Sequence, residues 1–162
     1  MRQDGRRLND LRFMAHADLA DYIETRQEEI TSVWVESVRQ EPRIQSDVEL
    51  SETGLRDHIP SVIAEICNLL RSNESPTIIN TQEARVHAYV RYRQGYRGRE
   101  VVRELSLLRQ ALLDRIAEKL HDGARELTIE AYLSAARLIN IYIDEEISYA
   151  ISVYAEAMKP AQ

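Results

Sequence analysis

His87 and Arg91 stand four residues apart, and Gly95-Tyr96-Arg97 follows them directly. On a helix, residues at i and i+4 share a face. An imidazole and a guanidinium placed this way suit three kinds of chemistry. They could bind a ligand as a pair, offer a ligand to haem iron, or present a histidine for phosphorylation. A haem globin would also be expected to pack a phenylalanine on the porphyrin, and the sole phenylalanine, Phe13, lies near the N-terminus. A phosphorylated dimerisation-helix histidine usually has an acidic neighbour after it; here the neighbour is Ala88. The plainer reading is a half-buried histidine that makes hydrogen bonds. His87, Arg91, Tyr96 and Arg97 are therefore the candidate residues for a ligand or signal.

The other histidines have no obvious partner. His16 sits near a helix start, His58 just before Pro60, and His121 at a helix end, where its charge would suit the helix dipole. Cys67, the single cysteine, lies in the apolar run from Val62 to Cys67 and reads as buried and inert. Adjacent carboxylates such as Glu145-Glu146 point about 100° apart on a helix and do not converge on a substrate. A di-iron bundle needs Glu-x-x-His on two helices, and that pair of motifs is missing. Phosphate loops, HExxH and GxSxG are absent as well. The expectation is a protein with no catalytic apparatus, no metal and no cofactor.

Arginine is unevenly spread. Residues 85 to 109 hold seven arginines against two glutamates, Glu100 and Glu104, a local +5 in a chain of net charge −6. This is either a site for an anion or acidic partner, or a set of charges paired with acidic faces such as Asp144-Glu145-Glu146. The overall acidity argues against nonspecific nucleic-acid binding. The N-terminus is charged and lacks an apolar signal core. No apolar run approaches the ~18 residues that span a bilayer. Membrane insertion is not expected, and the lone cysteine fits a cytoplasmic setting.

Helices must position these residues. Only five glycines and four prolines punctuate 162 residues, too few for a β-rich fold of this size. Spacings of three, four and seven predict a helix over 17–39, after a short N-terminal arm at 1–15. Ser51 caps the next, carrying Leu55, Ile59, Val62, Ile63, Ile66 and Leu70; Pro60 should kink or restart it. A loop is expected at 72–76. Thr81 caps a helix over 82–94, and Gly95 and Gly98 mark a sharp bend. Helices follow over 99–121, ending at His121-Asp122-Gly123, and from the Thr128 cap to about 158. The last would be about 45 Å long, and 159–162 reads as the start of a linker. Together these predict one all-α domain over 1–162, an up-down bundle of four or five helices, with a globin-like arrangement as the alternative. The last helix either projects or pairs with a second copy of itself. Tyr132, Ile139, Tyr142, Ile143, Ile147 and Tyr154 are the candidate interface of a homodimer.

The stretch His87-Ala88-Tyr89-Val90-Arg91-Tyr92-Arg93-Gln94-Gly95-Tyr96, with its sequel from Val101 to Arg109, resembles the N-terminal domain of RsbR-type RsbT co-antagonists. That pattern reads H-x-x-x-R-x-x-x-G-Y, followed by a helix with a Glu-Tyr-x-x-Leu-Arg-like stretch. Trp34, the Leu55 to Pro60 helix start and the closing helix with Asp144-Glu145 agree with it, over about 20–158. Ser106 stands where an aromatic is common. The resemblance implies a helical, cytoplasmic, commonly dimeric input domain, as found in stressosome proteins and bacterial sensor histidine kinases. It implies no enzymatic activity, and a downstream signalling domain such as a kinase or STAS domain as partner. An alternative is a small-molecule sensor with a pocket between helices near His87 and Arg91.

Overall fold

A computed structural model describes residues 2–72, 81–121 and 128–157, with side chains from residue 14 onward. Among these residues there are helices and no strands. They are α1 (Arg2–Thr25), α2 (Gln27–Gln40), α3 (Glu52–Arg56), α4 (Ile59–Arg71), α5 (Gln82–Arg93), α6 (Gly98–His121) and α7 (Ile129–Ala157). The all-α class is as expected. The loop at 73–76, the Gly123 cap and the linker-like 159–162 lie outside the described residues.

Two boundaries differ from expectation. The chain is already helical at Arg2, so the N-terminal arm belongs to α1. The helix expected over 17–39 breaks at Arg26. The Thr25 hydroxyl donates back to the Tyr22 carbonyl at 2.9 Å, and the Arg26 amide turns in to Ile23 O at 3.1 Å. Such back-bonding bends helices. The Gln27 side chain then donates its Nε2 to Pro60 O at 2.8 Å and fixes the corner against α4.

Elsewhere the punctuation works as read. Ser51 accepts from the Gly54 amide at 3.1 Å, and Thr128 from that of Ala131 at 3.1 Å. Pro60 restarts the chain: α3 stops, His58 takes a left-handed φ of 67°, and the proline sits in the first turn of α4, where no donor is needed. Thr81 departs from expectation, because its side chain makes no cap. Its hydroxyl instead accepts from Arg85 Nε at 3.2 Å.

α2 and α6 run antiparallel: Arg115 pairs with Glu29 at one end and Arg103 with Glu41 at the other. α6 and α7 are antiparallel too, with Arg109 on Asp144 and Gly98 against the Tyr154 ring. α5 travels in the same sense as α7, since Arg85 lies over Tyr149 and Tyr92 meets Tyr154 edge-on at 5.3 Å. One apolar core joins them, from Leu19 and Ile23 through Trp34, Ile63 and Leu70 to Leu108, Ile139 and Ile143.

Candidate functional site

α5 ends in a Schellman turn that shapes the site. The Tyr96 amide donates to Arg91 O at 3.0 Å and the Gly95 amide to Tyr92 O at 3.1 Å. Gly95 has φ +85°, the left-handed geometry this cap requires. The turn folds the Tyr96 ring back beneath the Arg91 guanidinium, 5.0 Å from its centroid, a cation–π contact. It then launches α6, whose Glu100 reaches back to the Arg97 amide at 2.7 Å, as in a capping box.

The residue that gathers the site is Glu104 on α6, fully buried. Its Oε2 accepts from Arg91 Nε at 2.8 Å and from His87 Nε2 at 3.2 Å. Its backbone carbonyl accepts from the Trp34 indole at 3.0 Å. Arg91 reaches on to α3, donating to Gly54 O at 3.1 Å and Leu55 O at 2.5 Å, and to Gln94 Oε1 at 2.8 Å. His87 and Arg91 are themselves buried. Glu104 and Arg91 together therefore tie α2, α3, α5 and α6: the carboxylate holds α5, its backbone carbonyl holds α2, and Arg91 reaches α3.

The charge states follow from these contacts. Burial opposes a charge on Glu104, but the His87 hydrogen bond and the Arg91 charge outweigh it and hold the carboxyl below its usual range. Burial, against the pull of that hydrogen bond and with Arg91 adding to it, lowers His87. The cluster is then Glu104⁻, Arg91⁺ and neutral His87. An ionised carboxylate only accepts, so His87 carries its proton on Nε2. That leaves Nδ1 as a buried acceptor without a hydrogen-bond partner among the described residues, alongside Glu104 Oε1 and the Tyr96 and Tyr154 hydroxyls. Burial raises the Tyr96 and Tyr154 hydroxyls, and Glu104 raises both further.

Of the four signal candidates, His87, Arg91 and Tyr96 come together. Arg97 does not: its side chain is exposed, on a groove with Gln94, Gly95 and Glu100. Of the six interface candidates, Ile139, Tyr142 and Ile143 are fully buried within the single chain. Tyr142 donates to Glu65 Oε2 at 2.6 Å. Tyr132, Ile147 and Tyr154 are half-buried against the core. The apolar residues that α7 leaves open are Ile129, Leu133 and Ile151. The inward face of α7 serves the protein's own core, which changes where a partner could sit.

The arginine-rich segment divides. Arg91 is spent in the core, Arg103 pairs with Glu41, Arg109 with Asp144 at 2.8 Å, and Arg85 stacks on Tyr149. Arg93, Arg97 and Arg99 are exposed. Cys67 is buried, and burial pushes its thiol up to about 12. Several acids are buried that residue type alone does not mark, Glu104 and Glu146 most completely. In the sequence Glu104 figures only as an acid within the arginine window, and Glu146 only as part of an acidic face. Both are fully buried, and burial pushes Glu146 up to about 8. The signal was available: Glu104 falls at a core position among Val101, Leu105 and Leu108, and Glu146 among Tyr142, Ile143 and Ala150.

Among the described residues, no group of His, Cys, Asp or Glu is arranged to hold a metal ion. No helix there is long and apolar enough to cross a membrane. Neither the curated proteins nor the solved structures compared with the chain include a match. A family model does match, over residues 28–159, from the first turn of α2 past the end of α7. It describes the RsbT co-antagonist protein RsbRD N-terminal domain. The match spans the whole Glu104 centre, and the chain belongs to that regulatory domain family.

Proposed function

We propose that this domain is a non-catalytic, cytoplasmic input module of a bacterial signalling protein, which works as a homodimer and passes a change in helix packing to a downstream signalling domain. Membership of a regulatory family supports the general role. The observation that carries the mechanism is the burial of Glu104, His87 and Arg91 at one junction of four helices. A buried ion cluster stabilises a fold less than well-packed apolar groups would. Its value is in fixing one arrangement of helices against alternatives, which a relay between two packings needs. Tyr154 brings α7 to the edge of this centre, and α7 is the element long enough to carry a shift outward.

The test is the solution mass of the chain by light scattering. A mass near twice 18.8 kDa is expected, falling to the monomer in Leu133→Glu or Ile151→Glu, whose side chains α7 exposes. A wild-type monomer at all concentrations would sink the dimeric relay. Ile143→Glu is unsuitable, because it would bury a charge in the core. A second reading, a polar small-molecule sensor at His87 and Arg91, is favoured by the unpartnered Nδ1, Oε1 and tyrosine hydroxyls around Glu104. It predicts ligand-dependent stabilisation lost in His87→Ala.

A further inference from the structure

A cavity of about 520 Å³ opens between the segment after α2 and the first two turns of α6, away from the Glu104 centre. Its walls include Pro42 and Arg43 on one side and Arg99, Val102, Arg103 and Ser106 on the other. Two buried acids hold the walls at fixed separation. Glu41 accepts from Arg43 Nε at 2.6 Å and Nη2 at 2.9 Å, and from Arg103 Nε at 2.6 Å. Glu100, one turn before Glu104, accepts from the Gln45 amide at 2.8 Å and the Ser46 hydroxyl at 2.7 Å. The cavity is thus built before anything enters it, which lowers the ordering cost of binding.

Its charge is unbalanced. Three guanidiniums, of Arg43, Arg99 and Arg103, stand against the two carboxylates of Glu41 and Glu100, which leaves a local +1 in a chain of net −6. Arg99 has no ion-pair or hydrogen-bond partner among the described residues, and Arg103 uses only its Nε. Arg99 and Arg103 are four residues apart and share a helical face. Guanidinium N–H groups grip a carboxylate or phosphate by two oxygens, and both side chains line the same cavity. Pro42 and Val102 add an apolar wall beside it. A volume of this size suits a small molecule.

We infer that this cavity is a binding site for a small organic anion, its phosphate or carboxylate held by Arg99 and Arg103 and its apolar body against Pro42 and Val102. The site is independent of the proposed relay through Glu104 and of dimerisation.

The test is calorimetric titration of the full 162-residue chain with phenyl phosphate, phenylacetate and inorganic phosphate, each against sodium chloride at matched ionic strength. Saturable one-to-one binding is expected, weakened at least tenfold in Arg99→Gln and Arg103→Gln and unchanged in Arg137→Gln, an exposed arginine on α7. Arg99 has no hydrogen bond or ion pair to lose among the described residues, so its variant reports on binding; its thermal melt should match wild type. Preference for phenyl phosphate over phenylacetate would assign phosphate, and the reverse carboxylate. Tighter binding of phenyl phosphate than of inorganic phosphate would support the apolar wall. Heats no larger than those of chloride, or equal affinity in Arg99→Gln, would overturn the site.

Discussion

Glu104 is held by three donors, His87 and Arg91 on its carboxylate and Trp34 on its backbone carbonyl, that arrive from two other helices, and its removal strands what it neutralises. In Glu104→Ala, Arg91 keeps its place in the core without its counter-charge. Breaking a buried pair from one side typically costs about 3–5 kcal/mol, so a loss of that size is expected by urea unfolding. Glu104→Gln keeps the shape and one acceptor oxygen and should fall between. A loss below about 1 kcal/mol in the alanine variant would show that Arg91 is solvated by rearrangement, and the centre would not be a packing switch.

Two buried titratable groups give opposite pH slopes. His87 has a folded pKa below its usual 6.5, so the unfolded chain takes up the proton first and stability falls as pH drops below about 6.5. Glu146 has a folded pKa near 8 against 4.5 unfolded. The folded chain keeps that proton longer, so stability falls as pH rises from 4.5 through 8. The wild-type profile is a sum, and variants separate it. Glu146→Gln is expected to flatten the alkaline side and to stabilise at pH 8 by about 1–3 kcal/mol, the range for relieving a poorly satisfied buried polar group. His87→Gln is expected to flatten the acidic side. Urea titrations at pH 5.5, 7 and 8 test both. His87 stood out by its spacing from Arg91, but the buried acids Glu104 and Glu146 were hard to find in the sequence because acids are surface residues by default. Only their place in the apolar stripe marked them, and that clue weighs less than residue type.

At the scale of elements, chain breaks were legible wherever a residue has a special backbone. Pro60, Gly95, Ser51 and Thr128 each act through a mechanism readable from residue type. The break at Arg26 has no glycine or proline, and rests on Thr25 bonding backward and Gln27 bonding across to Pro60. Tertiary contact decided it, which spacing alone does not reveal. The same reasoning separates backbone from packing at Gly95. An added Cβ there meets nothing within 4 Å, while φ is +85°. Gly95→Ala is therefore expected to cost about 1–2 kcal/mol through strain alone. Its effect should include looser Tyr96 packing, read as a change in tyrosine fluorescence. An unchanged melting midpoint would mean the turn has an alternative geometry.

For the whole molecule, α1 raises a question that sequence pattern posed only weakly. The family match starts at residue 28, so α1 lies before it. Yet Leu19, Ala20 and Ile23 on α1 are completely buried, and Arg71 at the end of α4 grips Asp21 at 2.6 Å and Glu24 at 2.5 Å. These pairs are partly exposed and contribute little. The apolar contacts matter more: burying one Leu or Ile side chain is worth about 1.5–3 kcal/mol. Deleting α1 would also bare the face of α4 that packs against it. A domain of this size has a net stability of about 5–15 kcal/mol, so the loss of two such side chains and of their cover is a large share of it. A chain starting at Gln27 is expected to lose its cooperative melt, or to melt many degrees lower, by circular dichroism. The double variant Leu19→Ala, Ile23→Ala keeps the helix and should lose about 4 kcal/mol or more, since each large-to-alanine change in a core costs about 2–5. If both the truncated and the double-variant chains melt like wild type, α1 is an appendage, and the folded unit begins at α2, where the family match begins.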